Sequence, residues 1–160
     1  MNKINLLIGF FLLVTLNSSA KDILVTTKEE LVKANLIAKP GDQIILKSGE
    51  WNNVTIRLTC QGSINNPIIV KPAEVGKVIL TGNSMLKIGG SHIIVSGLQF
   101  LNGFAGDDAV VSFRTSEKEI ANNCRLTNCV INDFNNLKRL QDNYWISLYG
   151  KNNRVDHCTL

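Results

Sequence analysis

The spacing of apolar and polar positions divides the chain into three stretches. Residues 4–16 form an apolar run broken only by Asn5, Gly9 and Thr15. Residues 26–39 carry a helical period instead, with Leu31, Ala34 and Ala38 on one face and Ile37 beside them. Thr27 and Glu30 open this stretch as an S/T-x-x-E capping box, and Pro40-Gly41 closes it. Beyond it the period shortens to that of strands. The pattern predicts strands at 43–47, 54–58, 68–70, 78–81 and 85–88, separated by glycine, asparagine and proline. One helix followed by many short strands suits a sandwich, a barrel or a β-solenoid.

An internal repeat selects the solenoid. Val95-Ser96-Gly97-Leu98-Gln99-Phe100, Leu126-Thr127-Asn128-Cys129-Val130-Ile131 and Val155-Asp156-His157-Cys158-Thr159-Leu160 align without gaps. The offsets are 126 − 95 = 31 and 155 − 126 = 29. Positions one, four and six are apolar or cysteine. Position three is Gly, Asn or His, residue types that accept a left-handed backbone more readily than most. The unit therefore reads as strand, bend, strand, repeated once per coil of a parallel β-helix. Stacked coils would put Val95, Leu126 and Val155 in one inward column and Phe100, Ile131 and Leu160 in another. The expected class is all-β: a right-handed parallel β-helix whose N-terminal helix covers the open end of the first coil.

The opening run has the layout of a secretory signal. Lys3 precedes the apolar stretch, and Ser18-Ser19-Ala20 supplies small residues at a cleavage site. The run is short of the roughly 20 residues of a membrane span, and an uncleaved anchor is the alternative reading. Residues 1–20 are thus expected to be a signal peptide, and residues 21–160 the N-terminal coils of one domain, secreted or periplasmic and without stable membrane insertion. The chain stops at Leu160 inside the third copy of the repeat, so a longer solenoid truncated at this point is expected. Loss of residues 1–20 removes one of 17 basic residues and none of the 13 acidic ones, leaving 16 − 13 = +3. A mild positive charge suits an acidic polymer. The basic residues are scattered, with no basic stripe interleaved with aromatics, which argues against nucleic acid as a partner.

Few residues suggest chemistry. Cys60, Cys124, Cys129 and Cys158 lack the spacing of a zinc site or a small disulfide scaffold. Cys129 and Cys158 share one repeat position, which fits a buried thiol ladder; a disulfide is the alternative in an oxidising compartment. His92 and His157 have no evident metal or catalytic partners, and a structural role is expected for both. Asp107-Asp108 reads as a solvated turn, with calcium as the alternative. Lys151 and Arg154 flank the Asn152-Asn153 turn and are candidates to contact a polymer carboxylate. Among Trp51, Tyr144, Trp145 and Tyr149, the best candidates for stacking on sugar rings are Trp145 and Tyr149. Alternation through 144–149 puts Trp145, Ser147 and Tyr149 on one face, and Ile146 and Leu148 on the other, core-facing side.

Three segments carry a family resemblance. AKPGDQIILKSGEW (38–51) resembles the opening coil of β-helix lyases, although its PGD-x-I element is widespread. KVILTGNSMLKIGGSHIIVSGLQFLNG (77–103) and NYWISLYGKNNRVDHCTL (143–160) resemble the first coils of polysaccharide lyase family six, which includes alginate lyases and chondroitinase B. The 143–160 segment, with its WISLYG and NRVDHC elements, points toward the alginate branch. The resemblance spans about residues 22–160. It implies β-elimination on a uronic-acid polymer, in which calcium neutralises the sugar carboxylate and a lysine, with an arginine nearby, removes the C5 proton. The family's glutamate-rich calcium motif, lysine and arginine have no counterpart in residues 1–160, so no catalytic or metal-binding residue is assigned and the isolated chain is expected to be inactive. Two other readings stand beside the lyase: a non-catalytic carbohydrate-binding or adhesin β-helix, and a β-helix epimerase or pectate lyase.

Overall fold

The computed structural model describes residues 20–106, 108–135 and 144–160. The expected signal peptide therefore lies, but for Ala20, outside the described residues, as does Asp107. Among the described residues no helix is long and apolar enough to cross a membrane.

The strands form three parallel sheets, and the chain visits them in rotation. Strands β1 (Asp22–Val25), β2 (Gln43–Leu46), β5 (Ile68–Pro72), β8 (Ile93–Ser96), β11 (Arg125–Thr127) and β14 (Arg154–Asp156) make the six-stranded first sheet. The second contains β3 (Gly49–Asn52), β6 (Val78–Gly82), β9 (Gln99–Gly103) and β12 (Val130–Phe134). The third contains β4 (Thr55–Leu58), β7 (Met85–Ile88), β10 (Val111–Ser112) and β13 (Ile146–Ser147). Each strand pairs with its equivalent one coil away, which is the parallel β-helix expected from the repeat.

The register matches the predicted columns. Val95 pairs with Leu126, and Leu126 with Val155. The same column continues toward the N-terminus through Val70 and Ile44 to Ile23. Ile44, Val70, Val95 and Leu126 are completely buried, each contributing about 2 kcal/mol of hydrophobic stabilisation. Phe100 pairs with Ile131, and a bridge from Val130 to Thr159 places Leu160 next in that line. Leu160 itself is exposed.

The bends follow the residue types. Gly97, Asn128 and His157 all have positive φ, at 75°, 54° and 51°. A second left-handed column precedes the first sheet at His92, Asn123 and Asn152. Both histidines thus occupy turn positions. Asparagines also link turns between coils: Asn152 Nδ2 donates to Asn123 Oδ1 at 3.2 Å, and Asn153 Oδ1 accepts from the Cys124 N–H at 2.9 Å.

Helix α1 covers the first coil, but it is shorter than the pattern suggested. It runs Lys28–Ile37, with Thr27 as N-cap accepting from the Glu30 N–H at 3.2 Å. The Glu30 carboxylate reaches back to Thr26 rather than Thr27, accepting from its N–H and its hydroxyl at 2.7 Å each. Leu31 and Ala34 are buried as expected, whereas Ile37 is exposed and Asn35 is buried in its stead. Asn35 bonds the backbone N–H groups of Thr59 and Cys60. The helix thereby satisfies polar groups at the end of β4 while its apolar face closes the core.

Candidate functional site

The interior of the solenoid is filled with side chains, so chemistry must lie on its outer faces. All four cysteines are free thiols. Cys129 and Cys158 are neighbours on adjacent coils, and the Thr159 N–H donates to the Cys129 carbonyl at 3.0 Å. Burial pushes the Cys129 thiol up to about 12 and the Cys60 thiol up to about 11. These are packed, protonated groups rather than nucleophiles.

The four residues singled out for substrate contact divide between two faces. Lys151 and Arg154 belong to the turn and strand entering the first sheet. Lys151 is exposed, and its N–H donates to Asn122 Oδ1 at 3.1 Å. Arg154 lies in register with Arg125 and Ile94. Its guanidinium pairs with Asp156, which also takes a two-pronged contact from Arg125: Nε at 3.0 Å and Nη2 at 3.0 Å. The hydrogen bonds from Arg125 hold the Asp156 carboxyl well below the usual carboxylate range.

Trp145 and Tyr149 flank β13 on the third sheet. The expected alternation through 144–149 fails at both ends. Ile146 packs on the core as predicted, but so does Trp145, whose indole N–H donates to the Phe134 carbonyl at 3.0 Å. Leu148, predicted to face inward, is 59% exposed. The reason is that β13 is only two residues long, so the period-two rule does not extend beyond Ile146 and Ser147. Trp51 is also buried, with its indole N–H on the Lys47 carbonyl at 3.1 Å. Tyr149 remains at the surface, where the Arg114 guanidinium carbon lies 4.0 Å from its ring centroid.

The register of the third sheet assembles residues that the sequence pattern did not single out. Arg57, Lys87, Ser112 and Ser147 occupy equivalent positions on four successive strands. Lys87 forms an ion pair with Asp108, so Asp108 is not the free solvated acid expected of that turn. The Lys87 contact and the Ala109 N–H draw the Asp108 carboxyl down against the opposing effect of desolvation, which is the largest single influence on it. Among the described residues no group of three or more His, Cys, Asp or Glu side chains gathers to hold a metal. Asp107, the other acid of the Asp107-Asp108 pair, lies outside the described residues.

A capped, side-chain-filled parallel β-helix with polar and basic outer faces defines the class of protein. The particular family follows from the sequence: the chain belongs to the chondroitinase B family, whose family model matches residues 25–160. No curated protein matches the chain. Among solved structures it is similar to the PL6 family alginate lyase AlyGC, at 40% identity and a TM-score of 0.83, over 85% of this chain and 19% of that one. It is also similar to the PL6 family polysaccharide lyase Pedsa3628 from Pseudopedobacter saltans, at 33% identity and a TM-score of 0.74, over 85% of this chain and 30% of that one. A mannuronic acid specific family 6 lyase from human gut microbiota matches at 29% identity and a TM-score of 0.76, over 86% of this chain and 33% of that one. The chain thus spans a fifth to a third of the length of these relatives.

Proposed function

We propose that these coils belong to a polysaccharide lyase that cleaves a uronic-acid polymer by β-elimination, with alginate as the substrate. The observation that carries this reading is the 40% identity to an alginate lyase, maintained over 85% of the chain. A shared fold alone would not license it. The reaction removes the proton at C5 of a uronate and expels the 4-linked sugar, leaving a double bond between C4 and C5. Neutralising the uronate carboxylate makes that proton acidic enough to remove. The calcium, the lysine base and the arginine that the family resemblance implies fall outside residues 1–160 in this reading.

The role left to the present coils is to bind and orient polymer. Tyr149 is the best placed of the four candidate contacts, because it is at the surface with a cation beside its ring. Lys151 is exposed and available to a carboxylate. Arg154 contributes through the cluster around Asp156. Trp145 packs on the core and holds the Phe134 carbonyl, so its role is to support the strand beside Tyr149 rather than to stack on a sugar. We place the protein outside the cytoplasm, secreted or periplasmic, where an acidic polysaccharide is accessible.

The test is absorbance of the unsaturated product on incubating the longest natural form of the protein with alginate, polymannuronate or dermatan, with and without a chelator. A rise on alginate that the chelator abolishes is expected. No rise on any of the three removes the lyase reading and favours a non-catalytic binding solenoid. Purified residues 21–160 are expected to give no product.

A further inference from the structure

Asp42 is a buried carboxylate without a countercharge. It is 5% exposed. Both of its oxygens are taken by backbone donors: Oδ1 accepts from the Lys21 N–H and Oδ2 from the Lys39 N–H, each at 2.9 Å. Among the described residues no lysine, arginine or histidine side chain forms an ion pair with it. A carboxylate shut away from water is costly unless hydrogen bonds and an opposite charge answer it. Here the hydrogen bonds are present and the side-chain cation is not.

Lys21 marks where a cation can arise. It directly follows Ala20, the last small residue of the cleavage site read from Ser18-Ser19-Ala20. In the uncut chain the Lys21 nitrogen is a neutral amide that has one hydrogen to donate. A signal peptidase would hydrolyse the Ala20–Lys21 bond. The C–N bond breaks, the hydroxyl of water joins the Ala20 carbonyl carbon, and its hydrogen joins the Lys21 nitrogen. The new Ala20 carboxyl gives up a proton and the new amine takes one up. An α-amine titrates at about 8, so it is mostly an ammonium at neutral pH.

The fold already holds that nitrogen against Asp42. The Lys21 carbonyl accepts from the Gln43 N–H at 2.8 Å, so Lys21 is fixed by the first sheet as well as by the carboxylate. On the other side, the Asp42 N–H donates to the Lys39 carbonyl at 3.0 Å, just past the end of α1 at Ala38. Asp42 therefore joins the start of β1 to the chain leaving the capping helix. Replacing a neutral donor by an ammonium turns one of its contacts into a charge-assisted bond, about twice as strong. The position is demanding. A cut one residue away would move the charge by about 3.5 Å, beyond hydrogen-bond reach of the same oxygen.

We propose that Lys21 is the mature N-terminus and that its α-ammonium pairs with Asp42, forming a latch that processing creates at the capped end of the solenoid. This rests on the placement of the protein outside the cytoplasm and is independent of the lyase reading.

The test starts from the exported protein in its longest natural form. Intact mass and N-terminal sequencing are expected to give Lys21 as the first residue. Two purified forms are then compared, one beginning at Lys21 and one at Ala20. Hydrogen exchange read by mass spectrometry reports opening of β1 and of the Gln43 amide. Protection is expected to be about tenfold higher in the Lys21 form, the worth of one charge-assisted bond. D42N should erase most of that difference. Where D42N loosens the strand outright, the two forms of the parent still decide the question. Neither readout needs turnover. An exported chain that begins anywhere but Lys21 overturns the latch, and a chain that is not exported overturns the extracytoplasmic placement with it. A chain cut at Lys21 whose two forms exchange equally, or differ as much in D42N as in the parent, overturns the latch alone.

Discussion

Asn35 on helix α1 and Thr59 just beyond β4 are joined by two hydrogen bonds: Asn35 Oδ1 accepts from the Thr59 N–H at 2.8 Å, and Asn35 Nδ2 donates to Thr59 Oγ1 at 3.0 Å. Asn35 Oδ1 also accepts from the Cys60 N–H at 3.1 Å. The helix therefore docks through a polar clasp as well as through Leu31 and Ala34. Removing the amide leaves buried backbone donors without partners, at a cost of about 1–3 kcal/mol. Asn35→Leu is expected to destabilise the protein by about 2 kcal/mol, although it adds apolar surface at a buried position. Urea unfolding followed by far-ultraviolet circular dichroism measures this. Equal stability of variant and parent would remove the clasp.

The left-handed column at Gly97, Asn128 and His157 makes a second prediction. A β-branched residue is a severe misfit at φ near +54°, whereas glycine adopts it freely. Asn128→Val is expected to cost about 1–2 kcal/mol, the penalty of the left-handed region for a side chain. Asn128→Gly should be close to neutral, since the one bond it loses, Asn128 Nδ2 to Ser96 Oγ, is an exposed contact at 3.3 Å. Thermal unfolding of the pair reads the difference. A valine variant as stable as the glycine variant would show that the bend is not constrained.

What was legible in the sequence follows from these bends. The last three copies of the repeat differ by only two residues in length, so Val95, Leu126 and Val155 align by eye. The earlier coils are shorter: Ile44 to Val70 is 26 residues and Val70 to Val95 is 25. A gapless alignment therefore misses the three upstream members of the same column. The cluster on the third sheet was hidden for a related reason. Arg57, Lys87 and Ser112 become neighbours only through strand register, across intervals of 30 and 25 residues. Trp145 and Leu148 were misplaced because periodicity gives no guidance around a two-residue strand. Asn35 looked like an ordinary polar residue of a helix surface, since its partners lie 24 and 25 residues away.

Asp156 predicts a pH effect. Its carboxyl is held low chiefly by Arg125, so the folded state binds a proton less readily than the unfolded chain. The stability this provides is fully present above the unfolded aspartate value of about 3.9 and is lost as pH falls through the lower folded value. Asp156→Asn is expected to lower the melting temperature at pH 7, where Arg125 and Arg154 are left facing each other. The gap between variant and parent should narrow steadily below about pH 4. A gap of constant size from pH 7 to pH 3 would show that the carboxylate is not the source.

Cys129 and Cys60 carry the opposite shift, and their behaviour is accessible to simple chemistry. Burial raises both thiols, to about 12 and about 11, against about 8.5 in an unfolded chain. A group raised on folding stabilises the native state below its unfolded value, and the benefit is lost as pH rises through the folded value. Between about pH 8.5 and 11 the unfolded chain releases protons that the folded chain retains, so stability should decline over that window. Reactivity gives the sharper readout, because only the thiolate attacks an alkylating agent. In native protein at pH 8, Cys60 and Cys129 are expected to resist iodoacetamide for as long as the fold persists, and to label within minutes in denaturant. Peptide mapping by mass spectrometry assigns each site. Rapid labelling of Cys129 in the native state would mean that the column it shares with Leu98 and Cys158 opens, and that the thiol ladder is not part of a closed core.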